Sequence, residues 1–240
     1  MKKIHVIALL ITAMNTTYTN YLQPFFPYYS QCGQDKFLNE HLFKNKRNGV
    51  FVDVGAHDGI SYSNTYFFEK ELGWTGLCVE PHPQIFPQLK NNRSATCYAC
   101  CIGNADEPVD FMQVSGAPEM LSGIAELYDA RHLERLKREV ISNGGQIEII
   151  KIPCRTLSAL LEENNLFEVD FLSIDVEGAE KNVLLGIDFK RFTIKCIILE
   201  NNFPDKFADI RNILISNGYK HYQSLDFDEI FTLSTIDVTA

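Results

Sequence analysis

The stretch GVFVDVGAHDG (residues 49–59) is a strand that runs into a glycine-spaced turn. Val50, Phe51, Val52 and Val54 give a β-branched and aromatic run of strand length, and Gly49 marks its start. Gly55 and Gly59 follow, so backbone without a Cβ can pass close to a ligand before a helix begins. A helical pattern occupies residues 63–72, and GLCVE (76–80) is the next strand. Working outward, the same alternation repeats. Residues 83–92 read as a helix with Pro in its first turn, and ATCYACCIG (95–103) as a third strand. PVDFMQV (108–114) is a hairpin strand, residues 126–141 a charged helix, and IEIIKIPC (147–154) an extended run. TLSALLEEN (156–164) is a helix capped by Thr156, and VDFLSID (169–175) a buried strand leading into the helix GAEKNVLLGI (178–187). IKCIILE (194–200) is a strand and residues 205–217 a helix closed by Gly218. YKHYQS (219–224) and EIFTL (229–233) form an antiparallel edge pair.

Strand–helix alternation at this spacing predicts an α/β fold: a doubly wound, mostly parallel sheet covered on both faces. One domain is expected over residues 29–240, with an insertion around 104–155 above the carboxyl edge of the sheet. The chain has 240 residues, 45% hydrophobic and 22% charged, which excludes collagen, coiled coil and a multi-span membrane protein. Lys plus Arg is 22 against 31 Asp plus Glu, a formal charge of −9, so the general electrostatic footprint of a nucleic-acid binder is missing. Seven cysteines cannot all pair, and most lie in apolar runs as buried thiols do. CYACC (97–101) holds a C-x-x-C, but no second half-site follows, so a core strand is favoured over zinc and no metal site is expected. Residues 1–28 are an apolar leader or an extension. Lys2 and Lys3 precede an apolar run over residues 4–14, too short to span a membrane. The run fits either a signal-peptide core or an extra helix; His5 interrupts it and no A-x-A site follows. Membrane association is expected only through that leader.

Ligands of open α/β sheets bind at the carboxyl ends of the strands. A dinucleotide fingerprint would place its glycines at 55, 57 and 60, where this chain has Gly55, His57 and Ile60, which counts against NAD or FAD. Glu80, at the end of the second strand, is placed to accept hydrogen bonds from a ribose diol. Glycine turn and acid together fit an adenosine ligand without a diphosphate, S-adenosylmethionine; alternatively the glycines only shape a turn and Glu80 is a surface acid before Pro81. In SIDVEGAE (173–180), Asp175 and Glu177 emerge at the same edge. They can hold the methionine ammonium, bind a divalent metal or serve as general base, or Glu177 and Glu180 merely decorate a helix amino terminus. Glu200, Asn201 and Asn202 end the next strand, and LSG (121–123) either contacts substrate or makes a turn.

With these pieces in order, the chain resembles the FkbM-type family of S-adenosylmethionine-dependent methyltransferases. The matching segments are YSQCGQDKFL (29–38), GVFVDVGAHDGISYSNT (49–65), GWTGLCVEPHP (73–83), LSG, VDFLSIDVEGAEKNVLLGIDF (169–189), ILENN (198–202) and DFDEIF (226–231). The resemblance implies a seven-stranded sheet in the order 3-2-1-4-5-7-6. It implies that Asp53, Gly55, Ala56, Gly59 and Asn64 line the cofactor loop and that Glu80, beside Pro81, holds the ribose. Cys101, Ile102 and Gly103 would flank the adenine. It also implies O-methylation of a hydroxyl on a sugar, glycolipid or secondary metabolite, hence a small-molecule or glycan acceptor and, with a cytosolic cosubstrate, the cytoplasm rather than export. A hydroxyl acceptor gains from proton removal, for which His57 and Asp175 are the leading bases, with Glu177 and Glu200 behind them. His57 equally suits a plain loop role. Tyr62, Tyr66 and Trp74 either line an acceptor site or belong to the core. A Rossmann-like enzyme using another nucleotide and a catalytically degenerate nucleoside-binding module are the alternatives.

Overall fold

The computed structural model describes residues 27–235; the apolar leader reading falls almost entirely outside them. Helix α1 (Gln34–Phe37) continues as a π-helical turn over Leu38–Phe43 and leads to β1 (Val50–Val54). Then come α2 (Tyr66–Leu72), β2 (Thr75–Val79), α3 (Phe86–Asn92) and β3 (Thr96–Tyr98). The chain leaves the main sheet through β4 (Cys101–Gly103), β5 (Val109–Ser115), β6 (Gly123–Ile124), α4 (Ala130–Asn143), β7 (Gln146–Ile152) and β8 (Cys154–Thr156). It returns through α5 (Leu157–Glu163), β9 (Glu168–Ile174), α6 (Glu180–Leu185) and β10 (Thr193–Glu200). It closes with α7 (Ala208–Ser216), β11 (Tyr219–Leu225) and β12 (Asp228–Leu233).

Seven strands form the main sheet in the order β11-β12-β10-β9-β1-β2-β3. Counted by chain order within the sheet and read from the other edge, that is the 3-2-1-4-5-7-6 arrangement. β12 runs antiparallel to both of its neighbours, β10 and β11, and the other pairings in the sheet are parallel. The order reverses between β1 and β9, so a crevice opens there at the carboxyl edge. Side chains alternate along each strand and fill two layers. Val52, Val54, Leu172 and Ile197 pack with Leu160, Val183 and Leu214 on one face. Phe51, Phe171 and Ile198 pack with Phe67, Phe68 and Trp74 on the other.

Two extended runs split where the sequence reads as continuous. Residues 95–103 give β3 on the main sheet and then β4, which pairs with β8 instead. Residues 147–154 break at Pro153, which has no N–H to donate; its carbonyl takes the Cys101 N–H at 2.9 Å. Cys100 and Cys101 are buried on either route, so apolar character does not mark the bend. Helices also start later than their patterns. Ser63 caps the turn before α2 by accepting the Tyr66 N–H at 3.1 Å, and the α3 helix begins at Phe86, with Pro87 rather than Pro83 in its first turn. Thr156 accepts the Ala159 N–H at 3.3 Å and caps α5. Between β4 and β8, the three-stranded antiparallel sheet β6-β5-β7 and α4 rise over the carboxyl edge. Among the described residues no helix is long and apolar enough to cross a membrane.

Candidate active site

Strand register builds the site. Val54 lies beside Val79 and Ile174, and Ile174 beside Leu199. The next residue of each strand therefore stands in one row: Glu80, Gly55, Asp175 and Glu200, with Asp228 paired to Glu200 from β12. A cavity of about 420 Å³ opens along this row, a volume that suits a small ligand or cofactor.

The loop after β1 is held rigidly. Gly55 has φ +88°, and a Cβ there would lie 1.7 Å from the Asp175 carbonyl, so the close approach that requires glycine is to the neighbouring loop. Gly55 and Ala56 both donate N–H groups to the Val79 carbonyl at 3.0 Å. Asp58 accepts the Ile60 and Ser61 N–H groups at 2.8 and 2.7 Å and closes the turn. Beneath it, Asp53 accepts the Thr65 hydroxyl at 2.5 Å, with Arg93 3.6 Å away. The fully buried Arg93 donates to Glu69 at 2.6 Å, to Thr65 Oγ1 at 2.9 Å and to the Gly59 carbonyl at 3.2 Å. Burial raises the Asp53 carboxyl, and Arg93 and the hydroxyls pull it back.

Glu80 forms one wall. Its Oε2 accepts the His57 N–H at 2.9 Å and its Oε1 the His82 N–H at 2.7 Å. Each carboxylate oxygen keeps a further lone pair. Burial nevertheless pushes this carboxyl up to about 7, against the pull of both N–H groups. His57 has φ +49°, and neither ring nitrogen has a hydrogen-bond partner: Nδ1 lies 3.8 Å from Asp58 and Nε2 3.6 Å from Glu119.

Acids crowd the opposite wall. Asp175, open to the cavity but ringed by protein elsewhere, is raised by burial and then by Glu200 and Glu177. Glu177, at φ +55° in the turn before α6, is raised by burial, Glu200 and Glu180. Burial and Glu180 push Glu200 up to about 7. Arg135 of α4 also lines the cavity, but its Nε is committed to Glu139 at 2.8 Å. His57 and Glu177 thus share unusual left-handed backbone on the two lips of one crevice, a conformation that surrounding structure must impose.

Asp53, Gly55, Ala56, His57, Asn64, Glu80, Pro81, Cys101, Ile102, Asp175, Glu177 and Glu200 all face the cavity. Gly59 does not: a Cβ there would strike Arg93 and Leu89, so its glycine serves packing of the loop on α3. Gly103 pairs with Thr156 of β8, away from the cavity wall. Leu121, Ser122 and Gly123 line the cavity, as does Tyr62, while Trp74 is core. Sequence reasoning missed Gln34, which donates to Asp228 across the mouth and joins YSQCGQDKFL to DFDEIF. Both motifs were visible; only their contact was not. It also missed Arg93, whose partners lie 24–40 residues earlier in the chain, and Arg135 and Glu119, which the insertion brings over the edge.

Residues 53–221 match the methyltransferase FkbM domain. A curated relative, Methyltransferase 1 of Beauveria bassiana (strain ARSEF 2860), is 25% identical over 206 residues, covering 77% of this chain and 80% of that protein. Among solved structures, methyltransferase FkbM from Methylobacillus flagellatus KT superposes with a TM-score of 0.47 at 13% identity. It covers 78% of this chain, which spans 44% of that one. The precorrin-6y C5,15-methyltransferase of Geobacter metallireducens GS-15 gives 0.41 at 14% identity, covering 83% of this chain and 85% of that one. The matched segment takes in most of the chain, including the β1 loop, Glu80, Asp175, Glu177 and Glu200, and the chain belongs to the FkbM family of S-adenosylmethionine-dependent methyltransferases.

Proposed function

We propose that the protein methylates a hydroxyl on a sugar, glycolipid or secondary metabolite, with S-adenosylmethionine held across the ends of β1 and β2. When bound, that cosubstrate supplies a methyl group on a positively charged sulfur. The observation that carries the reading is Glu80: a buried carboxylate in the cavity wall, fixed by two backbone N–H groups and still short of donors. A ribose diol offers two hydroxyl donors to such a group, and Gly55 and Ala56 leave the backbone beside it uncovered.

The acid wall supports the rest. Asp175, Glu177 and Glu200 give the methionine end of the ligand a negative field and give an acceptor hydroxyl a proton sink. With a carboxyl raised to about 7, Glu200 exchanges protons near neutrality. His57 stands on the other lip with both ring nitrogens unpaired, in reach of whatever occupies the cavity. A chain of charge −9 suits a small-molecule or glycan acceptor rather than nucleic acid. A cosubstrate made in the cytosol supports a cytoplasmic reaction over export.

Calorimetric titration of the purified chain with S-adenosylmethionine and with NAD tests this. Micromolar binding of the former alone is expected, followed by transfer of labelled methyl to a hydroxyl-bearing acceptor. Binding of NAD alone, or of neither by folded protein, overturns the proposal, and methylation confined to amines overturns its acceptor.

A further inference from the structure

We infer that Asp175, Glu177 and Glu200 bind one divalent cation, with the buried His132 of α4 facing the Glu177 ligand. Ligand oxygens of the three carboxylates lie within 4.8 Å of one another. Acids alone do not make a metal site; the second observation is the imidazole. His132 is 3% exposed and is held edge-on against Tyr128, ring centroids 5.0 Å apart at 90°. Its Nε2 makes no hydrogen bond, and neither does Glu177 Oε2, the buried oxygen it faces at 3.3 Å.

A neutral imidazole with its proton on Nδ1 presents a lone pair at Nε2. His132 Nε2 and Glu177 Oε2, 3.3 Å apart and each without a hydrogen bond, have the spacing of adjacent ligands on an ion about 2.0–2.2 Å from each. Arg135 eases the charge of Glu177 and Glu200 in part while its Nε pairs with Glu139, and burial and the neighbouring acids still leave both carboxyls raised. Three carboxylates with one imidazole suit Mn²⁺, with Mg²⁺ as the harder competitor. The proposal departs from the expectation that the chain holds no metal. Binding does not depend on the methyl-transfer reading. Only its consequence rests on that reading: the ion lies at the acceptor end of the cavity, where a substrate hydroxyl can bind it.

The test uses chelator-treated full-length protein and Mn²⁺ alone, with free Mn²⁺ read by its electron paramagnetic resonance signal. One site is expected, displaced by excess Mg²⁺. Glu200→Gln and Asp175→Asn should each weaken it at least about tenfold, and His132→Ala by about tenfold or more. Circular dichroism melting confirms that each variant folds. Asp110→Asn, on an exposed pair with Lys151 far from the cluster in the fold, should bind as wild type does. Absence of saturable binding, or binding that folded Glu200→Gln and Asp175→Asn retain, overturns the inference. Titration with S-adenosylmethionine in parallel separates the two proposals: cosubstrate binding without Mn²⁺ binding removes only the metal, and the reverse removes only the methyl-transfer assignment.

Discussion

On the β1–β2 side of the cavity each buried carboxylate has a partner within the chain. Asp53 receives the Thr65 hydroxyl, Glu69 receives Arg93, and Glu80 receives two backbone N–H groups. On the β9–β10 side, Asp175, Glu177 and Glu200 crowd together; burial raises all three, Glu200 adds to the rise of Asp175 and Glu177, and Glu180 to that of Glu200. The same residue type therefore does two jobs a few residues apart in the sheet. Paired carboxylates fix the loop; crowded ones create a demand for protons or positive charge that a ligand can meet. Glu80 stands between these extremes, held by the scaffold yet raised toward neutrality.

Breaking the paired side should cost the most. Arg93→Ala leaves Asp53 and Glu69 buried without their cation, and a loss of about 3–5 kcal/mol is expected in chemical denaturation. A loss below about 1 kcal/mol would mean that the hydroxyls alone hold Asp53. Next, His57→Ala should lower methyl transfer about 100-fold, the scale of one acid–base group, with S-adenosylmethionine affinity nearly unchanged. Normal turnover would remove His57 from the chemistry and leave the acid wall as the proton sink. Glu80→Gln keeps the shape but removes the charge, and should weaken S-adenosylmethionine binding by about tenfold or more, corresponding to roughly 1.5–3 kcal/mol for a charged hydrogen bond. Unchanged affinity would contradict its ribose role.

The mildest effect is on pH dependence. Glu80 and Glu200 have folded-state values raised to about 7 from 4.5. Their neutral forms are favoured by folding, so the stability they contribute is present below the ordinary carboxylate value and is lost as pH rises through about 7. Melting temperature of the ligand-free protein should fall between pH 5 and 8, less so in Glu80→Gln and Glu200→Gln. Asp170 works oppositely: Lys195 and Lys46, at 2.8 and 2.6 Å, lower its carboxyl, and their support fades in acid. A flat profile in the wild type would show that the crowded wall is relieved by solvent.

Much of this layout was legible in the residues. Val50 to Val54, Leu77 to Val79, Val169 to Ile174 and Ile194 to Leu199 are apolar enough to announce buried parallel strands, and an acid or a glycine ends each. What pattern could not carry was partnership. Apolar residues 95–103 satisfy burial equally well as one strand or two, so the departure of β4 toward β8 left no mark. Gly59 reads like a ligand-binding glycine, yet Arg93, 34 residues further along the chain, claims the space beside it.

The sequence by itself determined which residues are buried, where the chain turns and which acids stand at strand ends, because these depend on local periodicity and backbone freedom. Only the tertiary structure decided that Glu80, Gly55, Asp175 and Glu200 form one row, that Gln34 meets Asp228, and that His132 faces Glu177. Strand register and the placement of the segment between β4 and β8 are set by contacts between residues far apart in the chain. Hydrophobic pattern records that a side chain is covered, not what covers it.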